Sequence, residues 1–416
     1  MADSAGDSLI VVGAGIVGAS TALALQRDGH RVLLIDREGP AAGASFGNAG
    51  GVVDGSAAPT AMPDIVFDVL RMVGRPLSPL TIRPSYLATA LPWLLRFIRE
   101  SRRARVLQNA LDLHALSRFA AFGWRSLTDN TPQSRLLRDV GWLKVYETET
   151  AFRRTAHTRY LMDKVGADYE VLNPDQIRDL EPGLAPLFAR AIFQRGSLHV
   201  RNPGQMVRGM VERFVSNGGR FERFDLQRID CQCGAIRLHG PAGVLQGGKV
   251  VIAAGAWSGQ LARQVGDRVP LESERGYHLM LTGQASDRLS RPVMNGERSF
   301  VLSPMDMGLR LTSQVEFAGL DAEPDYRRVR SLVDQARRML PGLPVAEHSV
   351  WMGRRPSLPD SLPVLGYSRC TDRVVYAFGH QHLGMTLGPI SGLVIADLLA
   401  GRKPGVDLHP YRVTRF

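Results

Sequence analysis

The stretch Leu9–Asp36 leaves this chain the fewest folding options. Leu9-Ile10-Val11-Val12 is a short apolar run rich in β-branched residues, the pattern of a strand buried on both faces. It runs into Gly13-Ala14-Gly15-Ile16-Val17-Gly18, a G-x-G-x-x-G turn, and then into Ala19–Arg27, helix formers with apolar residues at helical spacing. Gly29 ends that helix, and Arg31–Ile35 makes a second buried strand that stops at Asp36. The glycines divide the labour. Gly13 permits a tight turn, Gly15 lets a pyrophosphate approach the backbone, and Gly18 lets helix and strand pack closely. Backbone N–H groups and the helix dipole then hold the phosphates, with Ile16 and Val17 beside them. Asp36 lies 18 residues past Gly18, where its carboxylate can accept from ribose hydroxyls and would repel a 2′-phosphate. An isolated glycine turn says little; strand, glycines, helix, strand and acid in order predict an adenine dinucleotide, FAD or NAD rather than NADP.

With 416 residues the chain can build two domains with sizeable cores. It contains no unbroken apolar run of 18 residues, so no membrane-spanning helix is expected. The first strand starts too early to leave room for a targeting peptide, so the expected location is cytoplasmic. The cysteines are Cys231, Cys233 and Cys370, and Cys231-Gln232-Cys233 has the spacing of neither a zinc knuckle nor a redox pair. A net charge of +11 points towards nucleic acid or a membrane surface, but only four of the 51 basic residues are lysine. That skew reads as a coding bias, and without basic runs interleaved with aromatics no nucleic-acid partner is expected.

After Asp36 and Arg37, the small-residue run Gly39–Gly51 suits a backbone wrapped on a flat ligand. Helices are expected over Ile65–Val73, Tyr86–Arg99 and Ala104–Leu127. Leu91, Leu94, Leu95 and Ile98 mark one apolar face, with Arg96, Arg99, Arg102, Arg103 and Arg105 nearby. That face is expected to pack on its own domain, the alternative being a membrane interface. A strand at Trp142–Tyr146, a helix over Thr148–Val165, a capped helix start at Asn173-Pro174 and a helix at Pro203–Ser216 follow. Strands are expected at Arg220–Phe224, on to Leu238, and at Lys249–Ile252, which returns the chain to the first sheet. Gly276–Leu281 and Ser299–Thr312 read as a second sheet, followed by a helix at Tyr326–Leu340. Val374–Phe378 leads into a second glycine turn, Gly379–Gly388, and a helix from Pro389 to Leu399.

Four motifs in order resemble one family: the glycine fingerprint ending in Asp36, the Ser45–Gly51 loop, Ala253-Ala254-Gly255-Ala256-Trp257-Ser258, and the closing Gly353-Arg354-Arg355-Pro356 with Gly379-His380-Gln381-His382-Leu383-Gly384. The chain resembles the D-amino-acid oxidase-like flavoproteins, which include glycine and sarcosine oxidases and bacterial D-amino-acid dehydrogenases. Ser45–Gly50 looks most like the dehydrogenase branch. Glu274–His278 with His380–Gly384 resembles enzymes acting on D-hydroxyproline or related D-amino acids, including D-proline. The resemblance implies an α/β fold: a Rossmann-like FAD-binding domain (residues 1–56, 197–262 and 346–416) and an α+β, mixed-sheet substrate domain (57–196 and 263–345). It implies non-covalent FAD, since none of the cysteines falls in a tethering motif. Gly13, Gly15 and Gly18 would hold the pyrophosphate and Asp36 the ribose. Ser45, Asn48, Ala49 and Gly50 would lie near the flavin, Gly255 and Trp257 by the nucleotide half, and Arg37, Gly353, Gly384, Met385 and Thr386 also on the cofactor.

Oxidising an amino acid requires its carboxylate fixed and its Cα–H aimed at flavin N5. Arginine suits the first task because its fork binds carboxylate bidentately. The family's Gly-x-Arg-Pro places Arg355 there, with Arg275 the second candidate. Tyr277 and His278 point to opposite faces of their strand, so one should face the flavin, and Tyr277 could hydrogen-bond the carboxylate. His380 and His382 contact substrate or line the loop; both readings stay open. The helix beginning near Gly384–Gly388 aims its dipole at the flavin N1–C2=O edge. The product imine would hydrolyse to a 2-oxo acid, or stay cyclic for a proline. The electron acceptor is a quinone, an electron-transfer partner or oxygen. Other readings are an oxygen-using amine oxidase, the flavin subunit of a larger dehydrogenase with residues 91–105 as a partner or inner-membrane face, and an RNA-modifying flavoprotein.

Overall fold

The computed structural model describes residues 8–55, 58–63, 80–232, 235–343 and 346–416. The expected helix Ile65–Val73 and Cys233 lie outside the described residues. Leu9–Val12 and Val32–Asp36 form adjacent parallel strands, Leu9 opposite Val32 and Val12 opposite Ile35. Arg220–Arg223, Lys249–Ile252 and Val374–Phe378 extend this sheet in parallel, and Val364–Tyr367 closes it antiparallel. Both faces of the central strands are covered, as their unbroken apolar runs require. Helix Ile16–Arg27 covers one face and packs on Gly384–Leu399.

A nine-stranded mixed sheet forms the second layer. Its path runs Glu347–Ser357, Glu272–Leu281, Gly308–Phe317, Phe300–Met305, Val293–Asn295, Trp142–Tyr146, Arg190–Gln194 and Glu170–Leu172, with Leu80–Ile82 added on Gly308–Phe317. The single strand expected over 299–312 is a hairpin, because Gly308 takes φ +135° and turns the chain back. Glu347–Ser357 was expected with the nucleotide unit, but it pairs along its length with Glu272–Leu281.

The helices differ from expectation where tertiary contacts intervene. Residues 104–127 form two helices, Arg103–Ser117 and Ala120–Thr128, and 148–165 forms Glu149–Arg154 and Ala156–Val165. Residues 326–340 also form two, Arg327–Arg330 and Val333–Met339. Leu113, Leu116, Trp124 and Leu127 enter the core beneath the six-stranded sheet, not the substrate layer. The last helix starts at Gly384, five residues before the expected Pro389. Proline lacks the N–H that would bond the Met385 carbonyl, and the Trp124 indole supplies it instead, at 2.7 Å. By length and composition Gln381–Leu399 could cross a membrane, but 67% of it is buried, as in a core helix.

One expectation, the packing of the face formed by Leu91, Leu94, Leu95 and Ile98, fails for all but Leu94. Helix Leu87–Glu100 buries Ala90, Trp93 and Phe97, whereas Leu91, Leu95 and Ile98 are 48%, 59% and 46% exposed. The large aromatic side chains win the contact with Ile82 and Phe317; Leu94 packs half-buried beside them, and the other three residues of the stripe face outward.

Candidate active site

A cavity of about 1310 Å³ runs from the glycine turn to the face of the nine-stranded sheet. That exceeds the roughly 300–1,000 Å³ typical of single small-ligand pockets, leaving room for a dinucleotide beside a substrate. Gly13, at φ +107°, has Ala253 O where a Cβ would sit, at 2.4 Å. A Cβ on Gly18 would lie 1.7 Å from Gly13 O, so helix and turn tolerate no side chain there. Gly18 therefore shapes the turn without lining the cavity, while Gly15, Ile16 and Val17 line it. Asp36 Oδ2 accepts from Ala14 N (2.8 Å), and Oδ1 accepts from Glu38 N and Gly39 N (2.9 Å each). The carboxylate thus fastens the turn and still borders the cavity with acceptor capacity left over. Arg37 stacks 3.8 Å over the Trp257 ring, with Arg354 at 5.7 Å, and Gly255 lines the wall beside them.

The Ser45–Gly51 loop is locked from within. Ser45 Oγ accepts from Ile16 N (2.9 Å), and Asn48 donates to Ser45 O and accepts from Gly50 N. Ser45, Asn48 and Ala49 face the cavity; Gly50, at φ +70° against Val200 O, does not. Arg310 was not anticipated. Buried, with its pKa pushed down to about 10, it donates to the carbonyls of Phe46 and Asn48 and clamps the loop to the sheet. Trp351, also missed, wedges between Gly47 and Gly353, whose Cβ positions its ring would overlap.

On the sheet, Arg355 reaches the cavity and Arg275 does not. Arg275 is fully buried, donates to Gly319 O at 2.9 Å and lies 3.6 Å from Glu316 Oε2. It is a structural residue, which corrects its candidacy. Tyr277 borders the cavity, but its hydroxyl donates to Glu316 Oε2 (2.5 Å), so the expected bond to a substrate carboxylate is not available. Its pKa is pushed up to about 12, by burial first and then by that carboxylate. His278 lies outside the cavity lining, its ring stacked on Trp351 and its Nδ1–H donating to Gly47 O. Burial pushes it down to about 3, so it is neutral at pH 7.

The Arg355 guanidinium folds across Gly276, where a Cβ would lie 2.1 Å from Nη2. Nη1 donates to Glu274 Oε1 at 2.7 Å and to Gln314 O at 3.3 Å. Gln314 holds φ +75°, strained for a non-glycine residue, and lines the cavity with Glu274. Glu274 opens the Glu274–His278 motif, but its role beside Arg355 comes from the register pairing Glu274 with Arg355 and Gly276 with Gly353, and nothing in the sequence marks Gln314.

At the roof, Gly384, Met385 and Thr386 open the last helix onto the cavity, and Thr386 Oγ1 accepts from Val53 N. His380 shares a hydrogen bond with Ser391 Oγ (2.9 Å), and burial pushes it down to about 3. His382 lies deep in the molecule yet is exposed, because the surface it presents is the cavity wall. Burial lowers its pKa, with Glu274 opposing and Arg355 reinforcing the shift.

A glycine-turn site facing a mixed sheet across one cavity is the arrangement of a dinucleotide-dependent enzyme. Residues 8–398 match the family model described as FAD dependent oxidoreductase, and the chain belongs to that family. It is 35% identical over 426 residues to a D-amino-acid oxidase of Bradyrhizobium diazoefficiens, covering 99% of both chains. It is 28% identical over 424 residues to a D-amino acid dehydrogenase of Granulibacter bethesdensis, covering 98% of this chain and 99% of that one. Among solved structures, L-proline dehydrogenase from P. horikoshii shares the fold at a TM-score of 0.77 and 15% identity, over 99% of this chain and 97% of that one. The cofactor is FAD, and the side-chain-free turn at Gly13, Gly15 and Gly18 fits its pyrophosphate.

Proposed function

We propose that this protein oxidises a D-amino acid at its Cα–N bond, with Arg355 as the carboxylate anchor. The observation that carries the reading is the Arg355 guanidinium, held by Glu274 and Gln314 O on the cavity floor. FAD supplies the hydride-accepting ring when bound. The protein's own residues orient the substrate: Arg355 takes its carboxylate, and His382, with its lowered pKa, offers a neutral imidazole to its amine. The names of the two sequence relatives, an oxidase and a dehydrogenase of D-amino acids, support this substrate class. Within it, D-proline and cis-4-hydroxy-D-proline are the specific substrates proposed, released as cyclic imines. The exposed Leu91, Leu95 and Ile98 support peripheral attachment to the cytoplasmic face of the membrane and a quinone acceptor.

The test is an anaerobic flavin-bleaching screen across D- and L-amino acids, sarcosine and hydroxyproline isomers, followed by peroxide release against dye reduction. Bleaching by D-isomers supports the proposal. Bleaching by L-isomers or sarcosine alone would refute it, and peroxide release would replace the quinone with oxygen.

A further inference from the structure

The far end of the same cavity holds a lysine amine with no counter-ion among the described residues. Lys144 sits mid-strand, with Ile192 and Met294 beside it in register; Met294 pairs with Val301, and Val301 with Thr312. All five line the cavity, so they form one row across a single sheet face. Among the described residues Lys144 makes no hydrogen bond or ion pair, and its recorded contact is the Tyr146 ring, 5.7 Å from Nζ to the centroid. Two further polar groups of this face are orphaned. The Tyr146 hydroxyl and Thr312 Oγ1 are both buried, line the cavity and have no partner. Burial lowers the Lys144 pKa, and no carboxylate acts on it. The side chains around it at this end, from Trp142, Thr158 and Met162 to Gln194 and Ser299, include no acid. Lys144 and Tyr146, two residues apart on one strand face, leave two donors unsatisfied at this end, and Thr312 lies three strands along the row towards Arg355. The lysine and the tyrosine describe half of a hydrogen-bonded site, whose other half is a ligand rich in acceptor oxygens.

Resting on the proposed amino-acid oxidation, we propose that Lys144 and Tyr146 form a side-chain subsite for an anionic oxygen group, so that among acyclic D-amino acids those with a side-chain carboxylate are preferred over their neutral isosteres. Arg355 would take the α-carboxylate at one end and Lys144 the distal carboxylate at the other. Gly276, under the guanidinium, and Lys144 are four strands apart. At about 4.8 Å per strand that is roughly 19 Å on a flat sheet, shortened by sheet twist and by the lysine's reach. The span favours the longer ligand, so D-2-aminoadipate should exceed D-glutamate, and D-glutamate should exceed D-aspartate.

The holoenzyme tests this in two ways. Anaerobic dye reduction compares kcat/KM for D-glutamate and D-2-aminoadipate with that for D-glutamine and D-norvaline. Calorimetry compares binding of glutarate with that of pentanoate, neither of which can be oxidised. The expected preference for the acid is at least about tenfold in both, since an ion pair in an enclosed site outweighs a neutral contact. Lys144→Met should bring both ratios to near one, Lys144→Arg should keep part of them, and Tyr146→Phe should reduce them about threefold. An equal loss on all substrates in Lys144→Met, or release of FAD, would overturn the proposal, because the amine would then serve the fold or the cofactor. A wild-type preference for a neutral hydroxylated substrate over its acidic analogue would also overturn it. If neutral D-amino acids are oxidised without preference for the acid, the subsite alone is wrong. If no D-amino acid bleaches the flavin, the underlying activity is wrong and the subsite falls with it.

Discussion

Deleting the Arg355 side chain disturbs two things, and a second substitution separates them. Arg355 and Glu274 are 20% and 9% exposed and pair at 2.7 Å. Glu274 Oε2 also accepts from Ser357 Oγ at 2.9 Å, the partner that remains to it in Arg355→Ala. Breaking a buried pair by removing one partner costs about 3–5 kcal/mol. The solvent reaching Arg355 brings the expected loss to about 2–3 kcal/mol, seen as a Tm lower by several degrees. Losing the carboxylate anchor should separately cost about 2–5 kcal/mol in the transition state, or about 30-fold to several thousand-fold in kcat/KM. Adding Glu274→Gln removes the uncompensated charge, so the double variant should regain most of the Tm and none of the activity. Arg355→Lys should rescue little, because a point charge cannot reproduce the fork. Arg354→Ala should be mild, since Arg354 donates to Leu320 O rather than towards the cavity floor. Thermal melts and anaerobic flavin reduction on the same preparations supply both readouts. If Glu274→Gln restores turnover in the Arg355→Ala background, Arg355 acts by neutralising Glu274, and the substrate-anchor assignment is wrong.

Gly276→Ala should leave the fold intact but push the guanidinium aside, since its Cβ would meet the flexible end of Arg355; a shift of about 1 Å predicts roughly a hundredfold loss of kcat/KM, and unaltered kinetics would show that the position of Arg355 does not matter. Acid precipitation should release free FAD, and Gly15→Val should abolish its binding, whereas flavin retained in the pellet would reveal a covalent link. His199, His278 and His380 are each pushed from 6.5 to about 3 by burial. The unfolded chain therefore binds protons below pH 6.5 that the fold refuses. Stability should be full above that pH and fall as pH drops towards 3, by about 2 kcal/mol per histidine at pH 5; a Tm flat from pH 7.5 to 5 contradicts this. Leu91→Glu with Leu95→Glu should abolish sedimentation with anionic lipid vesicles at little cost in Tm, and equal sedimentation of wild type and variant would count against the membrane face.

The nucleotide unit was legible from Leu9 to Asp36 because its constraints are local. A Cβ at Gly18 strikes a carbonyl five residues away, and Asp36 binds N–H groups of its own turn and of the glycine turn 22 residues back, all within one βαβ unit, so spacing alone carries the information. Pro203–Ser216, Trp142–Tyr146 and Val374–Phe378 were legible for the same reason: caps and apolar period act within a few residues. Choosing among the arginines was a different problem: motif position singled out Arg355 and Arg275, but nothing local says which of the two reaches the cavity. A register shift between Arg275 and Tyr277 decides which side chains of that strand turn into the core, and it depends on how Gly308–Phe317 pairs across it. The first turns of the last helix likewise needed Trp124, 261 residues from Met385, to satisfy the Met385 carbonyl that Pro389 leaves open. Lys144 and Tyr146 read as ordinary strand residues until Met294, Val301 and Thr312 come beside them. Turns, caps and periodicity are set by short-range sterics and hydrogen bonds and can be read along the chain. Which polar groups lose water, and which find partners, is set by strands distant in sequence, and only the folded structure decides it.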